Sequence, residues 1–107
     1  MKILLTNDDG VYSEGIKALA KQMSKNNEVI IIAPDRERSA TAHAITMHKP
    51  LRVKKVSIPD FNGPVWMVNG TPSDCVKIAL EALLDWKPDM VLSGINWGSN
   101  LGTDIIY

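Results

Sequence analysis

Asp8 and Asp9 are adjacent acids followed by Gly10, Ser39 closes a charged run, and Asn96 lies in a glycine- and asparagine-rich stretch near the far end of the chain. Carboxylates, a hydroxyl and an amide carbonyl are hard oxygen donors, a set suited to magnesium, manganese or calcium rather than to a thiolate-preferring metal. Two carboxylates held close together repel, which raises one of their pKa values unless a cation or strong donors offset the charge. A divalent cation is the simplest offset, and Asp8, Asp9, Ser39 and Asn96 are the candidate ligands. Two carboxylates would nearly neutralise such an ion, so a phosphate beside it would also need backbone N–H groups and neutral donors. Asn7, Gly10 and Asn100 are the candidate substrate contacts. His43 could donate a proton to a bound ligand or simply be solvated, and Arg36 and Arg38 could clamp a phosphate or stay exposed.

Each of these residues has an ordinary reading when taken alone, because Asp-Asp-Gly is a common loop sequence and a lone serine or asparagine usually satisfies backbone groups. Joint placement at one site is what would give them chemistry, and that depends on the elements between them. Ile3-Leu4-Leu5 reads as a strand buried on both faces and closed by Asp8-Asp9-Gly10. Ile16, Leu19, Ala20 and Met23 then recur at helical spacing, with Ser13 as N-cap and Lys17, Lys21 and Lys25 left for solvent. Val29-Ile30-Ile31-Ile32, stopped by Pro34, completes a strand–helix–strand unit, which predicts a parallel sheet with a right-handed crossover.

Residues 35–46 read as a long loop. Residues 51–58 and 65–68 form a hairpin around a turn at 59–64. Gly70-Thr71-Pro72-Ser73-Asp74 supplies a hydroxyl cap, a proline and an acid for a helix starting near Pro72, with Val76, Ala79, Leu80, Leu83 and Leu84 as its apolar face. Met90-Val91-Leu92 is another buried strand, and Ser93 to Gly102 is too rich in glycine and asparagine for a regular element. In an α/β fold of this kind, loops leaving the carboxyl ends of parallel strands line one crevice, so three of these loops can converge. Adjacent Asp8 and Asp9 can share a site only if the backbone turns there, which Gly10 permits.

Twelve basic residues balance twelve acidic ones, so no net field gathers nucleic acid polymers or an anionic membrane. The single cysteine, Cys75, excludes an intrachain disulfide and a cysteine-built metal site. The opening residues reach Asn7-Asp8-Asp9 before a signal-length apolar segment can form, and no stretch approaches the roughly 20 apolar residues of a membrane span. The expected location is cytoplasmic. Of the tryptophans, Trp66 and Trp86 read as packing residues, and Trp97 is the aromatic residue beside the expected crevice.

Thr-Asn-Asp-Asp-Gly at 6–10, Ala-Pro-Asp-Arg-Glu-Arg-Ser at 33–39, Gly-Thr-Pro-Ser-Asp-Cys at 70–75 and Ser-Gly-Ile-Asn-Trp-Gly-Ser-Asn-Leu-Gly at 93–102 resemble, in order and spacing, the successive signatures of the SurE (survival protein E) family. The resemblance runs through essentially the whole chain. It implies a Rossmann-like three-layer α/β/α core with a mostly parallel sheet, to which the residues themselves add the hairpin. It also implies a divalent-metal-dependent phosphomonoesterase that hydrolyses nucleoside 5′- and 3′-monophosphates, with polyphosphate as a further substrate, and a homodimer or homotetramer. The family's metal ligands carry over onto Asp8, Asp9, Ser39 and Asn96, and the choice of Ser39 over nearby hydroxyls comes from this resemblance. Two routes stay open: Asp8 positions a water for in-line attack, or Asp8 attacks phosphorus itself to form an acyl-phosphate.

The departure from the family is length. Tyr107 stands where family members continue into Ser-Gly-Thr, a phosphate-contacting turn, and then a long C-terminal portion. The expectation is that residues 1–107 form the N-terminal portion of a single domain, with the C-terminal part of the family fold absent. Apolar sheet surface would then be exposed, giving marginal stability or association. The alternative reading is a metal- and nucleotide-binding module, or an assembly segment, without turnover.

Overall fold

In the computed structural model the described residues are 1–38, 50–96 and 102–106. The elements are β1 (Lys2–Thr6), α1 (Glu14–Met23), β2 (Glu28–Pro34), β3 (Val53–Ile58), β4 (Phe61–Val68), α2 (Pro72–Ile78) with a π-helical turn (Ala79–Leu83), β5 (Met90–Asn96) and β6 (Gly102–Ile106). The strands form one sheet in the order β3-β4-β2-β1-β5-β6. Its inner neighbours β4, β2, β1 and β5 run parallel, and β3 and β6 close the edges as antiparallel partners of β4 and β5.

Alternation along the central strands makes the three layers. Ile3, Leu5, Val29 and Ile31 point to one face and pack with Ile16 and Ala20 of α1, while Leu4 and Ile32 point to the other and pack with Cys75 and Ala79. β1 is therefore buried from Ile3 through Thr6, as its continuous apolar run requires. The α/β/α architecture read from the sequence is found. Among the described residues no helix is long and apolar enough to cross a membrane.

Three local expectations need correction. Ser93 to Asn96 continue β5 rather than forming a loop, because Ser93 pairs with Thr6 on one side and Asp104 on the other, and Asn96 pairs with Gly102. Pairing on both flanks outweighs the poor strand propensity of glycine and asparagine. The turn expected over residues 59–64 shrinks to Pro59 and Asp60, since Phe61 is drawn into the core opposite Ile58 and Asp60 takes a positive φ of 63°. Pro64 falls in the register shift of the β3–β4 ladder, where its missing N–H breaks no pairing. β2 ends at Pro34, as expected, with Pro34 opposite Val68 as its last register pair with β4. Finally, Leu80 is 46% exposed instead of facing the sheet. The N–H of Leu84 donates to Ala79 O at 2.9 Å, an i→i+5 bond that widens the helix and turns Leu80 outward while Ala79 stays buried.

Candidate active site

β1, β2 and β5 are parallel neighbours, so the segments that follow Thr6, Pro34 and Asn96 leave the same edge of the sheet. After Thr6 the chain turns sharply. Asn7 is fully buried; its side-chain nitrogen donates to Gly10 O at 2.9 Å and to Ser13 Oγ at 2.8 Å, and its side-chain oxygen accepts from Gly10 N at 3.1 Å. Gly10 has a φ of 110°, and a Cβ there would lie 3.1 Å from the backbone of Arg36, so both its conformation and its neighbour demand glycine. Val11 N–H donates to Pro34 O at 2.8 Å, pinning the turn to the end of β2.

Two further bonds bring the three segments to Asp8. Its N–H donates to Asn96 Oδ1 at 2.9 Å, and its carbonyl oxygen accepts from Arg38 N at 2.9 Å. Asn96 is 5% exposed, whereas Asp8 and Asp9 are only partly buried. Asp8, Asp9, Gly10, Asn7 and Asn96 thus gather at one edge of the sheet. Ser39, His43 and Asn100, with Ser99 and Trp97, lie outside the described residues.

The donors fit a hard divalent cation. Asp8 and Asp9 offer carboxylate oxygens, and the amide oxygen of Asn96 keeps a second lone pair after accepting from Asp8. Among the described residues no group of three histidine, cysteine or acidic side chains could hold a metal. Among the described residues the amide oxygen of Asn96 is the further oxygen donor beside the two carboxylates.

The two arginines differ. Arg36 is exposed, while the guanidinium of Arg38 grips Asp35 through Nε at 2.8 Å and Nη2 at 3.3 Å. The Arg38 hydrogen bond holds the Asp35 carboxyl below its usual range against the opposing effect of burial, and the pairing raises Arg38 in turn. This pair and the N–H bond to Asp8 hold Arg38 beside the Asp8–Asp9 turn. Thr71 caps α2 as its sequence suggests, accepting from Asp74 N at 3.2 Å while Asp74 Oδ2 accepts from Thr71 N at 3.0 Å.

Trp86 carries Lys2 at 5.0 Å from its ring centre at the opposite end of β1, and Trp66 carries Lys55 at 5.7 Å. Sequence reasoning passed over the use made of Ser13 and Gly15. Ser13 precedes α1 but makes no side-chain cap bond, serving instead as the acceptor for Asn7. Gly15 packs against the backbone of Ile95. Neither role leaves a trace in hydrophobic periodicity.

The chain has known relatives. The chain is 59% identical over its whole length to the 5'-nucleotidase SurE of Pelotomaculum thermopropionicum and 58% identical to that of Natranaerobius thermophilus, covering 41% and 43% of those proteins. The crystal structure of the SurE protein from Aquifex aeolicus superposes on 95% of the chain with a TM-score of 0.75 and 43% identity, over 40% of that protein. The chain therefore spans about two fifths of the length of these relatives. With the family described as Survival protein SurE matched across residues 3–107, the chain belongs to the SurE family.

Proposed function

We propose that the chain carries the metal-binding half of a phosphomonoesterase active site that hydrolyses nucleoside 5′- and 3′-monophosphates, with polyphosphate as a secondary substrate. The observation that carries this reading is the hydrogen bond between Asp8 N and Asn96 Oδ1, which brings oxygen donors from the two ends of the chain to one point. Asp8, Asp9 and Asn96, joined by Ser39, would hold magnesium or manganese, with calcium able to occupy the same donors. A cation bound there supplies Lewis acidity to a phosphoryl oxygen.

The protein's own groups divide the remaining work. Asp8 orients the attacking water, Gly10 permits the turn that presents Asp8 and Asp9, and His43 and Asn100 are assigned to the leaving group and the phosphate. The names of the relatives support a nucleoside 5′-monophosphate as substrate. The proposed setting is a cytoplasmic homodimer or homotetramer.

Phosphate release from a panel of nucleoside monophosphates, with magnesium, manganese or chelator, tests the proposal. Release should need the metal and vanish in Asp8→Asn and Asp9→Asn. Nucleotide binding without release by the unsubstituted chain would instead favour a binding module.

A further inference from the structure

Both sides of the candidate site are fastened to the first turn of α1, and neither fastening residue is a proposed metal ligand. On one side, the Asn7 amide spends both its hydrogens on Gly10 O and Ser13 Oγ and accepts from Gly10 N. The ring closed in this way encloses Asp8 and Asp9, and it ends on Ser13, the residue before α1 begins. No amide hydrogen of Asn7 is left for a phosphate, so its effect on a ligand passes through the loop it braces.

On the other side stands Gly15, the second residue of α1. A Cβ there would overlap the carbonyl oxygen of Ile95 and come within 3.1 Å of its carbonyl carbon. Ile95 immediately precedes Asn96. The helix can lie directly on the β5 backbone at this point only because residue 15 has no side chain.

We propose that Asn7 and Gly15 are positioning residues. They make the first turn of α1 the common reference that sets the Asp8–Asp9 loop against Asn96, and thereby set the affinity of the site for a divalent cation. The proposal rests on the reading that Asp8, Asp9 and Asn96 hold that cation, and it moves Asn7 from the expected substrate contacts to a role behind the ligands.

The test is calorimetric titration of the full chain with Mn²⁺, at a temperature well below the unfolding midpoint of each variant as followed by circular dichroism. Asn7→Ala and Gly15→Ala should each weaken Mn²⁺ binding about 10- to 100-fold, the range typical of groups that orient metal ligands. Gly15→Ala separates positioning from helix stability, because alanine is the better helix former and a purely helical role would leave binding unchanged or the helix firmer. Should either variant fail to fold, Ser13→Ala removes just one of the Asn7 bonds and should weaken binding several-fold. Wild-type Mn²⁺ affinity in the folded variants would overturn the positioning role alone. Failure of the unsubstituted chain to bind Mn²⁺ would overturn the underlying metal reading, and this proposal with it.

Discussion

The backbone N–H of Asp8 donates to Asn96 Oδ1 over 2.9 Å, joining residues 88 positions apart in the chain. Asn96 is almost wholly buried, so its amide has been withdrawn from water and depends on such partners. Asn96→Ala leaves the Asp8 N–H without its acceptor in a partly buried turn, an expected loss of about 1–3 kcal/mol in stability. Asn96→Asp restores an acceptor but adds a carboxylate beside Asp8 and Asp9, so it should recover stability only when a divalent cation is supplied. Urea unfolding with and without magnesium measures both, and equal stability of Asn96→Ala and the parent chain would contradict the bond's role.

α2 covers the sheet face opposite α1, and its start is fixed by the reciprocal bonds of Thr71 and Asp74. Thr71→Ala removes the side-chain acceptor and should cost about 1 kcal/mol, whereas Thr71→Ser keeps the oxygen and should stay within a few tenths. The urea midpoint should fall with an unchanged denaturant slope, since the surface exposed on unfolding is the same. A midpoint that does not move would mean the cap is made up elsewhere.

Where local chemistry alone decides the structure, the residues announced it. The Ile3-Leu4-Leu5 run stopped by Asp8-Asp9-Gly10 became a buried strand and a turn, and Gly-Thr-Pro-Ser-Asp became a capped helix start. The convergence of Asp8 and Asn96 was also legible, because parallel strands send their following loops to one edge. Long-range pairing was less so. Ser93 to Asn96 became strand through partners in β1 and β6 that local propensity cannot register, and β4 joined β2 as well as its hairpin partner. Leu80 matches a helical apolar stripe, yet it is 46% exposed where the helix widens at the i→i+5 bond to Ala79. Ser39, His43 and Asn100 fall outside the described residues.

The Asp35–Arg38 pair predicts an acid-side loss of stability. Because Arg38 holds the folded carboxyl below its usual range, the unfolded chain takes up this proton at higher pH than the folded one. The stabilisation is thus fully present above the ordinary aspartate value of about 4 and disappears as pH falls through the lowered folded value. With both side chains about a quarter exposed, the pair contributes at most about 1 kcal/mol after screening. Urea midpoints measured from neutral to acid pH should show a shallower decline in Asp35→Asn than in the parent. Parallel curves would show that other carboxyls carry the acid response.

Cys75 should behave as a reporter of α2 opening. Its side chain is fully buried, and burial above all pushes the thiol from 9.0 up to about 12, with the nearby Thr6 hydroxyl acting in the opposite direction. Thiolate is the reactive form, so an aromatic disulfide reagent at about pH 8 should label the folded chain far more slowly than the unfolded one. The labelling rate should then rise with urea as the helix opens. Linkage adds a second expectation: a raised folded pKa stabilises fully below the unfolded value near 9, and that contribution fades as pH climbs towards 12. Cys75→Ala should therefore flatten the alkaline decline in stability while lowering stability at neutral pH through lost packing. Rapid labelling of the native chain at neutral pH would show that the face between α2 and the sheet is open, contradicting the closed second layer.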